Sequence, residues 1–162
     1  MRRLPILLTA IALVSLAACG KKTETKALPV YDLTAASNAK FLADNAAKPD
    51  VHKTADGLQY RIIKSGTGKT PQSPDDMVTV TYKGWMINNK VFDQTHGTPA
   101  SFPAGGLIAG WVEALSMMKE GDEWELVIPS DLGYGTEGAG ADIPPNQTLV
   151  FDMTLIAVKP AS

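Results

Sequence analysis

Four strand-like segments and a single helical segment restrict the fold of this chain more than any other feature of its sequence. Downstream of His52, these four segments either alternate apolar and polar residues or run apolar, as β-strands do. They span residues 57–66, 77–87, 123–129 and 148–158. Among these strands, only residues 107–121 carry apolar side chains at helical spacing, and Gly121 is predicted to end that helix. The pattern predicts an α+β fold in which a curved antiparallel sheet, or half-barrel, wraps around one short helix.

The alternation also predicts which faces of the strands are buried. Val78 and Val80 share one face of their strand, whereas Thr79 and Thr81 lie on the other. An antiparallel sheet commonly has one face on the core and one face in water. We therefore expect Val80, together with Leu149 in the last strand, to belong to the core.

A glycine-rich stretch at residues 131–146, "DLGYGTEGAGADIPPN", contains a literal match to the dinucleotide signature G-x-G-x-x-G. Its glycines are Gly133, Gly135 and Gly138. Asp152 follows at about the distance that the signature requires. A dinucleotide site also needs a helix directly after the glycines, and Pro144 and Pro145 would interrupt a helix there. A dinucleotide site is therefore excluded, and the stretch must serve as another kind of loop.

The first 18 residues have the layout of a secretory signal. The positively charged opening "MRR" precedes an apolar run over residues 4–18 that is too short to span a bilayer as a helix. The run ends in "LAAC" at residues 16–19, which resembles the lipobox of bacterial lipoproteins, whose cysteine is acylated. Ordinary signal cleavage and a buried thiol are the alternatives, but Cys19 is the only cysteine and has no disulfide partner. We expect a signal over residues 1–18 and a lipid anchor at Cys19.

The residues after this cysteine predict a location and a tether. Gly20, rather than an aspartate, follows the cysteine, and in a Gram-negative cell this points to the periplasmic face of the outer membrane. Residues 19–50 are expected to form a lipidated tether and a short helix from Ala35 to about Ala47. That helix could pack on the folded domain, predicted over residues 51–162, or against a second copy. A monomer and a weak dimer both remain open.

Charge and histidine content exclude two further classes of function. Without its first 18 residues the chain has 13 basic and 17 acidic residues, a balance that argues against a nucleic-acid partner. His52 and His96 lack ligand spacing to each other and to Cys19, so a metal site is not expected. No other cofactor is expected.

Six short motifs, taken in order, resemble a known family. They are Tyr-x-Gly at 82–84, Val-Phe-Asp at 91–93, Gly-Trp at 110–111, Tyr-Gly at 134–135, Ile-Pro-Pro at 143–145 and Val-Phe-Asp at 150–152. Over residues 57–159 the set resembles the FKBP family of peptidyl-prolyl cis/trans isomerases. The upstream "NAKFLADNAA" and "TADGLQYRIIKSGTG" are similar to its exported, macrophage-infectivity-potentiator-like branch. The resemblance implies an enzyme that assists the folding of exported proteins by rotating X-Pro bonds.

The resemblance also implies the residues of an apolar substrate pocket. The substrate-binding side chains would be Phe92, Phe102, Leu107, Ile108, Trp111, Ile143 and Phe151. Trp111 would form the floor, although its helical periodicity alone favours an ordinary core residue. Asp93 would orient Tyr82 or interact with the twisting amide. The hydroxyl of Tyr134 and the unpaired N–H of Ile108 would each donate to a substrate carbonyl.

The chemistry implied by this resemblance needs no nucleophile. Rotation about the peptide bond faces a barrier of about 18–20 kcal/mol because of its partial double-bond character. A dry pocket favours the twisted, less polar amide, and three decades of acceleration require roughly 4 kcal/mol of such preference. Proline-containing polypeptides are the expected partners, and macrocycles of the FK506 and rapamycin type are expected ligands. The alternatives are a chaperone that only binds such segments and an inert domain, which would be expected to lose the pocket aromatics.

Overall fold

Helix α1 (Ala35–Ala46) is the first element of the chain in the computed structural model, which describes residues 31–161. The Thr34 hydroxyl oxygen caps its start by accepting the N–H of Ser37 at 3.3 Å. The helix ends at Ala46, with Ala47 as its C-cap, so the predicted short helix from Ala35 to about Ala47 is confirmed. The predicted signal over residues 1–18 and the predicted lipid anchor at Cys19 lie outside the described residues.

The described strands form an antiparallel sheet. In chain order they are β1 (His52–Lys53), β2 (Gln59–Lys64), β3 (Met77–Met86), β4 (Val91–Gln94), β5 (Ala100–Pro103), β6 (Glu123–Ile128) and β7 (Leu149–Lys159). Six of them lie in the order β1-β2-β6-β7-β3-β4, and β5 pairs with β3. Strands β2, β3, β6 and β7 correspond to the four predicted segments. The short strands β1, β4 and β5 were not predicted, because two to four residues are too few to show a period.

Helix α2 (Ala109–Met117) lies against one face of this sheet and is shorter than the predicted helix over residues 107–121. Met118 adopts an extended backbone, with ψ 152°, and its side chain is fully buried, so the helix stops there. The prediction that Gly121 ends the helix is wrong. Gly121 instead lies in the turn before β6, where its N–H donates to the carbonyl of Leu155 at 2.7 Å.

The core lies between α2 and the inner face of the sheet. Its buried side chains include Val78, Val80, Trp111, Ala114, Leu115, Leu126, Ile128, Leu149, Phe151, Met153 and Leu155. The predicted burial of Val80 and Leu149 is confirmed, since both are 0% exposed. A sheet wrapped on one helix, with a second helix outside it, confirms the α+β class. No helix within residues 31–161 has both the length and the apolar character needed to cross a bilayer.

Candidate functional site

A cavity of about 400 Å³ opens beside the N-terminal end of α2. It is lined by Tyr82, Phe92, Asp93, Phe102, Gly106, Leu107, Ile108, Trp111, Tyr134 and Phe151. Nine of the ten residues that the sequence predicted for the site therefore meet at one place. They come from β3, β4, β5, β7, the start of α2 and the loop after β6, so the fold alone brings them together.

Trp111 on α2 is the central aromatic ring of this cavity. It is only 5% exposed, yet it lines the cavity, so it is both a core residue and part of the pocket. Edge-to-face contacts hold it against Tyr82, at 4.9 Å between ring centroids, and against Phe151, at 5.2 Å. Phe102 approaches it in the same manner at 6.4 Å. Such T-shaped pairs are the favoured arrangement of aromatic rings and fix their orientation.

Gly84 allows the rings of Phe92 and Phe151, which form two walls of the cavity, to pack against each other. It lies opposite Phe151 in the β3–β7 pair and opposite Asp93 in the β3–β4 pair. A Cβ atom at this position would lie 2.6 Å from Cε1 of Phe151 and 2.8 Å from Cζ of Phe92. Those two rings meet edge to face over the glycine, with centroids 5.5 Å apart. The glycine of the Tyr-x-Gly motif therefore makes room for the pocket wall.

Tyr82 and Asp93 form the polar side of the cavity. The Tyr82 hydroxyl donates a hydrogen bond of 2.5 Å to Oδ2 of Asp93. The other carboxylate oxygen of Asp93 accepts the N–H of Gln94 at 2.8 Å. Burial raises the pKa of Tyr82 well above its ordinary value, and the bond to Asp93 raises this pKa further. A phenol is neutral at physiological pH in any case, so Tyr82 is a hydrogen-bond donor whose orientation the Asp93 carboxylate fixes.

Ile108 supplies a backbone donor at the rim. It is the N-cap residue of α2, one position before the first turn in which it was expected. Its carbonyl accepts the N–H groups of Trp111 at 2.9 Å and Val112 at 3.1 Å. Its own N–H has no acceptor within the described part of the chain, as is usual at a helix start. A carbonyl group that entered the cavity could therefore bind there.

The loop between β6 and β7 carries Tyr134, whose side chain is 39% exposed and lines the cavity. The glycines after it have positive φ, at 55° for Gly135, 66° for Gly138 and 56° for Gly140. Glycine adopts this conformation without strain, so the sequence-based explanation of the glycine-rich stretch as a loop is confirmed.

Two residues depart from the predicted pocket. Ile143 is absent from the cavity lining, and its side chain, 6% exposed, packs in the buried cluster. Its backbone pairs with Ala139 through hydrogen bonds of 2.8 and 3.1 Å, which turn the side chain towards the core. Gly106, in contrast, lines the cavity and was not predicted. The only signal for it in the sequence is the pair Gly105–Gly106, which is typical of a turn.

Comparisons with known proteins agree with this geometry. Residues 68–156 match the family of FKBP-type peptidyl-prolyl cis-trans isomerases, and residues 10–62 match the domain amino terminal to such isomerases. The FKBP-type 22 kDa peptidyl-prolyl cis-trans isomerase of Escherichia coli is 46% identical, over 79% of this chain and 63% of that protein. The outer membrane protein MIP of Legionella longbeachae is also 46% identical, over 75% of this chain and 53% of its own length.

Solved structures give the same result. The crystal structure of a peptidyl-prolyl cis-trans isomerase from Pseudomonas syringae is 42% identical, with a TM-score of 0.72, over 76% of this chain and 92% of that one. The crystal structure of FkpA from Escherichia coli is 42% identical, with a TM-score of 0.74, over 78% of this chain and 60% of that one. The chain spans roughly half to two thirds of the curated relatives that it matches. By sequence and by fold, this chain belongs to the family of FKBP-type peptidyl-prolyl cis-trans isomerases.

Proposed function

We propose that this chain is a peptidyl-prolyl cis/trans isomerase that acts on proline-containing segments of unfolded or exported polypeptides. The observation that carries the proposal is the open aromatic cavity bounded by Trp111, the Tyr82–Asp93 pair and Tyr134. An apolar hollow with a few polar groups at its edge is typical of a site that binds an apolar group and orients the bond beside it. A proline ring on the indole of Trp111 would place its imide bond next to those polar groups.

The mechanism follows from the polarity of the amide. Planar amides separate charge and are stabilised by water, whereas a twisted amide is less polar. Transfer of the X-Pro bond into a cavity walled by Phe92, Phe102 and Phe151 therefore favours the twisted form. The free N–H of Ile108 and the hydroxyl of Tyr134 would hold the substrate carbonyls on either side of the bond. Together these effects need to supply roughly 4 kcal/mol for three decades of acceleration.

The Tyr82–Asp93 pair completes the site. A neutral phenol fixed by a carboxylate presents a preorganised dipole to the rotating bond, and it needs no proton transfer. Asp93, Tyr82 and Tyr134 are thus the residues to which we assign the catalytic step. No metal or cofactor takes part in this mechanism.

A proline tetrapeptide assay tests the proposal. The wild-type chain should accelerate cis-to-trans conversion of a peptide with an apolar residue before proline, and an FK506-type macrocycle should inhibit it. If the wild-type chain left the isomerisation rate unchanged, the proposed isomerase activity would be refuted. If such a chain still suppressed aggregation of a proline-free client, the cavity would serve a chaperone that binds without turnover.

Location and domain organisation are part of the same proposal. We assign residues 1–18 to a signal, residues 19–50 to a lipidated tether with α1, and residues 51–162 to the isomerase domain. A relative of the same family is named an outer membrane protein, which supports an envelope location. The lipobox-like residues 16–19 support a lipid on Cys19. Mass spectrometry of the mature N-terminus tests the anchor. An unmodified Cys19, or cleavage at another position, would contradict it.

A further inference from the structure

Helix α1 rests on the rest of the protein through two buried asparagines rather than through an apolar stripe. Asn38 is 5% exposed and Asn45 is 3% exposed, and these are the buried residues of the helix. A buried amide is costly unless all its polar atoms find partners. The partners of these two side chains therefore determine where α1 can lie.

Asn38 is fully hydrogen-bonded, and its partners lie next to the Tyr134 loop. Its Nδ2 donates to the carbonyl of Thr34 at 3.0 Å and to Oε1 of Gln147 at 3.2 Å. Its Oδ1 accepts the backbone N–H of Thr148 at 2.8 Å. Because only the amide oxygen can accept that N–H, the orientation of the Asn38 side chain is fixed.

Gln147 connects the residues before α1 to the loop between β6 and β7. It is 6% exposed, and its Nε2 donates to the carbonyls of Leu33 at 3.1 Å and Pro145 at 3.0 Å. One side chain therefore joins the segment that enters α1 to the end of the loop between β6 and β7. Any displacement of α1 would leave buried amide groups without partners.

A backbone hydrogen bond connects Asn146, the residue before Gln147, to Gly135, the residue after Tyr134. The N–H of Asn146, next to Gln147, donates to the carbonyl of Gly135 at 2.8 Å and closes the loop. Gly135 directly follows Tyr134, and its own N–H donates to the carbonyl of Ser130 at 2.8 Å. Asn146 has φ 60°, a left-handed conformation that asparagine adopts more readily than other non-glycine residues and that suits the end of a loop.

We propose that Asn38 and Gln147 are positioning residues that hold the Tyr134 loop in place from helix α1. Neither side chain lines the cavity, so they act through the loop and not on a substrate. Helix α1 lies in the region that matches the amino-terminal domain, whereas Gln147 lies in the region that matches the isomerase. These hydrogen bonds therefore make a substrate-binding loop depend on a helix outside the isomerase region. The consequence for substrate binding rests on the proposed function, but the consequence for the loop does not.

Backbone hydrogen exchange on the full chain tests the structural part. Asn38→Ala should accelerate exchange at the Asn146 N–H by about tenfold or more, the effect of losing one buried hydrogen bond. Asn45→Ala is the matched control, because its amide bonds to Gln59 at 2.9 Å and to Lys48 at 2.8 Å and has no partner in the loop. It should change exchange at Asn146 by less than about threefold. Equal effects of both variants, or no effect of Asn38→Ala, would overturn the proposal.

A second variant and a second readout keep the test decisive. If Asn38→Ala does not fold, Gln147→Ala replaces it, and unchanged exchange at Asn146 in that variant overturns the proposal. In the isomerase assay, Asn38→Ala should lower kcat/KM about three- to tenfold, whereas Asn45→Ala should leave it within about twofold of the wild-type value. A merely structural role would lower stability in both asparagine variants without this difference in kcat/KM. If the wild type shows no isomerase activity, the exchange comparison alone decides.

Discussion

The Tyr82 hydroxyl and the Asp93 carboxylate share a hydrogen bond of 2.5 Å across the neighbouring strands β3 and β4. If the two side chains act as one unit, Tyr82→Phe and Asp93→Ala should each lower kcat/KM by about ten- to a hundredfold. The double variant should be no more than about threefold worse than the worse single variant, since removal of either partner already breaks the unit. Tetrapeptide kinetics on the three variants measure this coupling.

The control for this prediction is Asp152→Ala. Asp152 ends the second Val-Phe-Asp motif of the chain, but it lies on the exposed face of β7, away from the cavity. Its removal should leave kcat/KM within about twofold of the wild-type value. Full additivity of the Tyr82 and Asp93 effects, or an equal loss in Asp152→Ala, would contradict the assigned roles.

The two buried tryptophans allow a matched comparison. Trp111 lines the cavity, whereas Trp124 is stacked on Tyr60 at 4.5 Å and lies outside it. Trp111→Phe and Trp124→Phe should both lower the free energy of unfolding by about 1–3 kcal/mol, because each removes buried aromatic area. Only Trp111→Phe should weaken macrocycle binding and lower kcat/KM, by about tenfold. Denaturant titrations and inhibition assays separate the effects, and an equal loss of activity in both would argue against Trp111 as the floor.

Gly84→Ala should damage the pocket by overfilling it. The added methyl group would lie within 2.6–2.8 Å of the Phe151 and Phe92 rings, so those rings must move. Overpacking of this kind costs about 1–3 kcal/mol of stability, and the displaced rings narrow the cavity. Gly106→Ala is the steric control for stability, since its added Cβ atom would lie 3.5 Å from the nearest atom, the carbonyl oxygen of Pro103. Thermal unfolding of both variants checks the prediction, which fails if they lose equal stability.

The long strands of the sheet could be predicted from the sequence, and the short ones could not. Strands β3 and β7 have ten and eleven residues, enough for the alternation of Val78 and Val80 with threonines to identify a buried face. Strands β4 and β5 have four residues each and show no period. Phe92 and Phe102 lie on these two strands, so only the family resemblance, and not periodicity, placed them in the pocket.

The sequence could not predict how α1 packs on the rest of the protein, and the physical reason is a different one. An asparagine in a helix is ordinarily exposed, and its burial is decided by its partners. The partner of Asn38 in this case is Gln147, 109 residues away. A local pattern holds no information about such a partner. The misplacement of Ile143 has a similar cause, since its pairing with Ala139 depends on the path of the whole loop.

Asp76 should make the stability of the protein sensitive to acid. Its side chain is buried, and its carboxylate accepts backbone N–H groups from Ala161 at 2.9 Å, Gln72 at 2.7 Å and Ser73 at 3.1 Å. These bonds, that from Ala161 most of all, hold the pKa of Asp76 below its usual range. A depressed pKa contributes stability that is present above the unfolded-state pKa of about 3.9 and is lost as the pH falls.

Asp76→Asn should therefore destabilise the protein at neutral pH, and the difference from wild type should shrink as the pH falls below about 4. Denaturant unfolding at a series of pH values measures this difference. Asp75→Asn is the matched control, because Asp75 is exposed and its carboxylate accepts no hydrogen bond within residues 31–161. That variant should follow the wild-type curve. If the difference in the free energy of unfolding between wild type and Asp76→Asn stayed constant across the acid range, the prediction would be wrong. Protonation of Asp76 would then have no effect on stability, so its carboxylate would not be the source of this stability.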